Sequence, residues 1–284
     1  MQDKYIISFA EKDDFKEIVT KLDSYFEKEK GYFNSLVPVL YGKGKNTYKN
    51  HIIVKDKNKI IGIIAVKKNV INIDDKQYSF LLLGSLAVDF EYRNQGIMGM
   101  LFDFILNKYS SEVDFFGLSG KFDRYKRFGF FPSEKMYKYD YSKKEIKYSF
   151  ISVNVDNVFF CKRLHDVEKI RVNRSNMLDS LYMWEYKPFI IKDGENEIGY
   201  LIYNHKFNIV EEIVLLDNNL INEVMHSFAG FINLDTSLKL SMINLYLKDF
   251  IASNILYEEY FERTLYKIIN PELKSIYIPR SDLI

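Results

Sequence analysis

Residues Gly84 to Tyr109 read GSLAVDFEYRNQGIMGMLFDFILNKY, and three kinds of local order follow one another in them. Leu81 to Val88, overlapping the start, is a short apolar run suited to a strand buried on both faces. From Ile97 apolar residues recur at helical spacing, with Ile97, Leu101, Phe104, Ile105 and Lys108 on one stripe. Between strand and helix stands Arg93-Asn94-Gln95-Gly96-Ile97-Met98-Gly99, polar and punctuated by glycine where the helix must start.

The first turn of a helix leaves backbone N–H groups unpartnered and carries partial positive charge. A bound anion answers both. Gly96 and Gly99 put no side chain in its way, and Arg93 adds a full charge just before the turn. The combination suits a diphosphate better than a free carboxylate. Taken alone, the same residues equally fit a helix-opening glycine beside an exposed arginine.

A second block, Tyr125-Lys126-Arg127-Phe128-Gly129-Phe130, follows about 30 residues later, with Gly120 ahead of it. It too has a plain reading, as a helix end with a glycine cap and two core phenylalanines. In this order and at this spacing, however, the two blocks resemble the GNAT N-acetyltransferase superfamily. Arg93 to Ile97 resembles its acetyl-CoA signature, Gln/Arg-x-x-Gly-x-Gly/Ala. Tyr125 to Phe130 resembles the Tyr-x-x-x-Gly-Phe block that closes many of its domains. The longer form from Gly120 resembles the enhanced-intracellular-survival type of acetyltransferase. The chain departs at the signature's last position, where Met98 stands and Gly99 follows one residue late. The resemblance covers roughly the first half of the chain.

The resemblance implies an α/β (α+β) fold, with a mixed, mainly antiparallel sheet flanked by helices. It implies acetyl-CoA as co-substrate, no metal, and an amine-bearing small molecule or peptide as acceptor. Backbone groups of Leu86, Ala87 and Val88 would pair with the pantetheine arm. Arg93, Asn94, Gln95, Gly96, Ile97, Met98 and Gly99 would hold the pyrophosphate. A backbone N–H near Val88 would polarise the thioester carbonyl, and Gly84 would ease a bulge that splays this strand from the next. Tyr125 would face the sulfur as general acid. A phenol titrates at about 10 and a thiol at about 8.5, so a hydrogen bond to the leaving thiolate is the safer expectation. The general base is not evident: Asp89 and Glu91 near the turn and Glu29 in the acceptor region are candidates, and each also reads as a solvated charge. Lys121, Arg124, Lys126 and Arg127 read as a contact for the adenosine phosphate or as a solvated helix face.

Composition narrows the classes. The 40 basic and 39 acidic residues give no bulk electrostatic case for nucleic acid or an acidic membrane. With 22 Tyr and 23 Phe, much aromatic surface must be buried, so aromatic runs are weak evidence for a ligand site. The single cysteine, Cys161, follows Val158-Phe159-Phe160 and reads as a buried, inert thiol in a reducing compartment. His51, His165, His205 and His226 are scattered without metal spacing. The N-terminus lacks a signal core, and the longest apolar stretch, Phe80 to Val88, is far short of the roughly 20 residues of a membrane span. A soluble, cytoplasmic protein is expected.

The 284 residues allow one large domain or two ordinary ones. A strand at Tyr5 to Phe9 precedes a helix capped by Asp13 or Asp14, with Phe15, Ile18, Val19, Leu22, Tyr25 and Phe26 at helical spacing. Gly31 to Gly44 crowds aromatics around Pro38 and, by resemblance, shapes the acceptor site. His51 to Lys55, Lys59 to Lys67, Val70 to Ile73 and Tyr78 to Asp89 read as hairpin strands. Val113 to Ser119 reads as a strand, Phe122 to Phe128 as a short helix and Met136 to Tyr141 as a returning strand. The polar run Ser142 to Lys147 reads as a connector, which divides the chain into 1–145 and 146–284. The second part echoes the first: strands at Phe189 to Lys192, Ile198 to Tyr203 and Val210 to Leu216, then a helix with Leu220, Val224, Phe228 and Phe231. Gly199 parallels Gly62. Its turn Asp217 to Glu223 has neither glycine nor a basic residue and should not cradle a diphosphate, so a degenerate GNAT-like domain is expected. Trp184 reads as core.

Three functions stay open at this level. The leading one is an acetyl-CoA-dependent N-acetyltransferase. A longer acyl-CoA, admitted by a tunnel reshaped around Met98, is a second. A non-catalytic acetyl-CoA sensor or interaction module is the third.

Overall fold

The structure, a computed structural model, describes residues 4–42, 46–74, 76–132, 135–234, 236, 238–242, 255–260, 264–273 and 282. The part of the expected acceptor loop around Gly44 lies outside them.

Strand β1 (Ile6–Phe9) is followed by α1 (Asp14–Tyr25), α2 (Tyr32–Leu36) and α3 (Pro38–Tyr41). Helix α1 buries Ile18 and Leu22, as its spacing predicts. Asp13 stands at the N-cap without a capping bond. Asp14 instead takes the Glu11 N–H at 2.9 Å. Strands β2 (His51–Asp56), β3 (Lys59–Ile73) and β4 (Lys76–Val88) form an antiparallel meander. β3 runs unbroken past Lys67 because β4 pairs with it down to Ile73–Lys76. Then α4 (Ile97–Tyr109) leads to β5 (Phe115–Ser119), parallel to β4. α5 (Phe122–Tyr125) and the short β6 (Phe131–Pro132) follow.

Alternation along the strands gives this sheet two buried faces. Ile53, Ile63 and Leu82 pack with Ile18, Leu36 and Leu40 from α1 to α3. Ile52, Ile64 and Leu83 pack with Leu101, Phe102 and Ile105 from α4.

A second sheet is built from β7 (Lys135–Tyr141), β8 (Ser149–Ser152), β10 (Lys187–Asp193), β11 (Asn196–Asn204), β12 (Ile209–Leu215), β13 (Leu238–Met242) and β14 (Ile255–Tyr260). Helices α6 (Val158–Val167), α7 (Met177–Leu181) and α8 (Ile221–Phe231) accompany it. The order antiparallel β10–β11–β12, helix α8, parallel β13 repeats β2–β3–β4, α4, β5. The two parallel glycines have different causes. A Cβ on Gly62 would meet Ile97 of α4 at 2.6 Å, whereas one on Gly199 would meet the Val214 carbonyl oxygen at 2.5 Å.

Strand membership does not follow chain order. β7 lies in the second sheet, between β13 and β14. Two strands from the second half join the first sheet: β9 (Ile170–Val172) beside β3, and β15 (Thr264–Ile268) between β5 and β6. A cut at 145 therefore follows the chain but not the hydrogen-bonded layers. Half-buried Trp184 packs against the cores of both halves. Cys161 is buried, and burial pushes its thiol up to about 12. No described helix is long and apolar enough to cross a membrane.

Candidate active site

The site begins where β4 leaves β5. Their ladder runs from Phe80–Phe115 to Leu83–Leu118 and ends there. On the other edge, the register with β3 slips by one residue between Ile63–Ala87 and Ala65–Gly84. The extra residue is a bulge, and Ser85 within it takes a left-handed φ of 49°. Ser85 costs more than a glycine would there, because its Cβ crowds the backbone. Leu86, Ala87 and Val88 thus continue past the last β5 rung, with backbone available for an extended ligand.

The turn that follows is built to expose N–H groups. Asn94 and Gly96 are both left-handed, at φ 62° and 82°. Such alternation points successive N–H groups into one concavity. Gly96 is the N-cap of α4, and a Cβ on Gly96 or Gly99 would meet nothing within 4 Å. Buried Ile97 anchors the helix start, and Met98 is partly buried against the core under α4. Arg93 reaches back, with its Nε 3.4 Å from the Val88 carbonyl and its guanidinium 5.2 Å over the Phe90 ring. Gln95 braces the turn: its Oε1 accepts from the Tyr5 hydroxyl at 2.7 Å and its Nε2 donates to the Glu91 carbonyl at 2.9 Å.

Tyr125 ends α5 and is 9% exposed. Its ring stands 5.9 Å from Phe102 of α4 and 6.5 Å from Phe130. Burial raises the phenol's pKa, and nearby Arg124 only partly opposes it. The phenol therefore stays protonated as a hydrogen-bond donor. Lys121, Arg124, Lys126 and Arg127 are exposed, and Lys126 pairs with Asp123 at 2.7 Å.

The two carboxylates near the turn differ. Burial alone would raise Asp89, but Lys59 at 3.0 Å and Lys21 at 3.5 Å hold its pKa below the usual carboxylate range. An anion so paired is a weak proton acceptor. Glu91 is 77% exposed in its side chain, with one ion pair to Lys59 at 3.4 Å. Glu29 is exposed. In the second half, the position matching the turn is closed: Asp217 accepts from the Asn219 N–H, placing a negative charge where a diphosphate would lie.

Sequence reasoning missed a buried polar group behind the bulge. The Tyr41 ring lies 5.1 Å from that of His51, and its hydroxyl is turned toward Ser85. His51 Nδ1 bonds the Thr47 carbonyl at 3.1 Å. Thr47 Oγ1 and His51 Nε2 are buried without a hydrogen-bond partner. Burial lowers the His51 pKa to about 4, so the ring is neutral at ordinary pH. His51 lies opposite Ala65 and Ala65 opposite Gly84 across three strands, a relation that no local motif encodes. Among the described residues no group of three His, Cys, Asp or Glu could hold a metal.

Residues 7–132 match the acetyltransferase (GNAT) domain family. No curated protein matches the chain in sequence. A solved structure from Enterococcus faecalis, described as a conserved protein of unknown function and probable N-acyltransferase, is similar with a TM-score of 0.71 at 14% identity, over 93% of this chain and 72% of that one. A GCN5-related N-acetyltransferase from Kribbella flavida gives 0.70 at 9% identity, over 94% and 71%. Eis1 from Mycobacterium abscessus gives 0.63 at 12% identity, over 93% and 73%. The family match and these likenesses coincide on the half of the chain that carries the β4–α4 junction. The whole chain has an architecture like that of Eis1.

Proposed function

We propose that the protein moves an acetyl group from acetyl-CoA directly to the amine of a small molecule or peptide. The observation that carries this reading is the junction of β4 and α4. There, strand backbone past the last β5 rung leads through a short turn to a helix start whose N-cap is a left-handed glycine.

In this reading Leu86, Ala87 and Val88 pair with the pantetheine arm. Arg93, Asn94, Gln95, Gly96, Ile97, Met98 and Gly99 form the pyrophosphate turn, with N–H groups and the α4 dipole supplying the charge complement. Gln95 acts by bracing the turn. The amine nitrogen attacks the thioester carbonyl carbon, a backbone N–H near Val88 stabilises the oxyanion, and the C–S bond breaks. Tyr125 donates a hydrogen bond to the departing thiolate. A carboxylate takes the amine proton through water. Glu91, the more exposed, suits that task, while Asp89 between its lysines suits anchoring the end of β4. Residues 1–145 supply the reacting groups, with β9 and β15 completing their sheet, and the rest of 146–284 forms a degenerate GNAT-like domain.

Calorimetric titration of acetyl-CoA into wild type and Gly96→Glu tests the cofactor site. Micromolar binding at one site per chain, lost in the variant, is expected. A wild type that does not bind acetyl-CoA would overturn the proposal. Transfer to a panel of amines then assigns the acceptor class.

A further inference from the structure

The block around Tyr125 is gripped from two directions. On one side Phe128 stacks on Phe102 of α4, with centroids 4.2 Å apart and 11° between the planes. On the other stands Lys267 of β15, 139 residues further along the chain. Its ammonium donates to the Phe128 carbonyl at 2.7 Å. Phe128 ends the 3-10 turn Lys126–Phe128, which begins directly after Tyr125. Carbonyls at such an end lack helical partners and carry partial negative charge, so an ammonium is well placed there.

The glycine of the block meets the same lysine. Gly129 is left-handed at φ 82°, and a Cβ there would stand 2.7 Å from Lys267 Nζ. Glycine is required for its φ, and it leaves the room in which the ammonium reaches the Phe128 carbonyl. Lys267 is placed by strand rungs and not by its flexible stem alone. Thr264 pairs with Ser119 and Lys267 with Phe116 on one side, and Tyr266 with Phe131 on the other. Beyond the strand, the N–H groups of Ile269 and Asn270 donate to the Asp114 carbonyl at 2.8 and 2.9 Å. The Asn270 side chain donates to the Asp114 carboxylate at 2.8 Å.

We infer that Lys267 is a positioning residue for Tyr125. By clamping the turn after it, Lys267 sets the angle at which the phenol meets the reacting sulfur. The acetyl-transfer half then works only with a strand delivered by the far end of the chain, after the second sheet is made. The inference rests on the role given to Tyr125 under Proposed function.

A double-mutant cycle on the full chain tests it. Turnover is read as CoA thiol released from acetyl-CoA, with water and with small primary amines as acceptors. Acetyl-CoA affinity and thermal melting are measured alongside. Lys267→Met should lower turnover about tenfold, equal to about 1.4 kcal/mol of barrier, with acetyl-CoA affinity unchanged. Lys267→Arg, which keeps a cationic donor, should recover most of it. In a Tyr125→Phe background, Lys267→Met should cost nothing further. Equal losses in both backgrounds, or no loss in wild type, would overturn the inference. A Tyr125→Phe enzyme with wild-type turnover would instead remove Tyr125 from the chemistry, a failure visible in that single variant. If Lys267→Met does not fold, Lys267→Gln runs the same cycle with a neutral donor.

Discussion

The ring of Tyr125 lies directly on the backbone of Gly120: a Cβ at 120 would stand 2.4 Å from Cε2 and 3.2 Å from the phenol oxygen. The chain leaves β5, doubles back through α5 and lays the phenol over the residue where the turn began. A side chain at 120 would push the ring away from Phe102 and from the end of the strand.

Gly120→Ala should therefore displace the phenol while leaving the Arg93–Gly99 turn intact. The strain should cost about 1–3 kcal/mol of stability. Turnover should fall at least about tenfold, which is about 1.4 kcal/mol of barrier, at unchanged acetyl-CoA affinity. Tyr125→Phe should match that loss of turnover without the loss of stability. Calorimetric binding, thiol release and thermal melting on the two variants check both statements.

The two glycines of the turn should answer differently to alanine. Gly99 lies within α4, and a Cβ there meets open space. Gly99→Ala should raise stability by up to about 1 kcal/mol through helix propensity. Gly96→Ala must hold a left-handed φ and should lose about 1–2 kcal/mol. Denaturant unfolding of the pair checks the opposite signs. Glutamate at either position should abolish acetyl-CoA binding.

His51 should make the protein acid-sensitive. Its pKa is lowered by burial to about 4 in the folded protein, against about 6.5 when unfolded. The unfolded chain thus takes up a proton first as pH falls. The stability this site contributes is complete above about pH 6.5 and is lost progressively down to about pH 4, in total on the order of 3 kcal/mol. His51→Gln should flatten that part of the stability curve. A variant whose stability falls as steeply as wild type between those pH values would refute the assignment.

Arg174 is fully enclosed between two carboxylates from distant parts of the chain. It donates to Glu212 at 2.9 Å and to Asp282 at 2.8 Å. Burial alone would raise Glu212, but Arg174 outweighs it and holds the carboxylate ionised. Arg174→Met should cost about 3–5 kcal/mol near neutral pH by stranding both charges. The folded carboxylate is depressed, so its contribution is present above about pH 4.3 and lost as pH falls. The gap between wild type and variant should narrow in acid, as urea titrations at two pH values would show.

Much of the first half was legible because its signals are local. The turn from Arg93 to Gly99 and the block from Tyr125 to Phe130 each state their geometry within seven residues or fewer. Gly84 marked the place of the bulge, although the left-handed residue is its neighbour Ser85. Asp89 shows the limit. As a letter near the turn it reads as a candidate base, and only the approach of Lys21 from α1 and Lys59 from β3 shows it tied down. Tyr41 reads only as part of the acceptor region and His51 as a scattered histidine, because their shared position behind Ser85 joins a helix and two strands.

The sequence by itself determined the strand–turn–helix unit, its repetition in the second half and the failure of that repeat at Asp217. Periodicity, glycine and charge act over a few residues and need no distant partner. The tertiary structure alone decided which strands complete which sheet. β7 crosses to the second layer, and β15 returns to the first and brings Lys267 to Phe128. Without β15, β5 would be an edge whose hydrogen bonds any strand of suitable register could take. The choice among candidates is made by packing between residues more than a hundred positions apart, which no local pattern records.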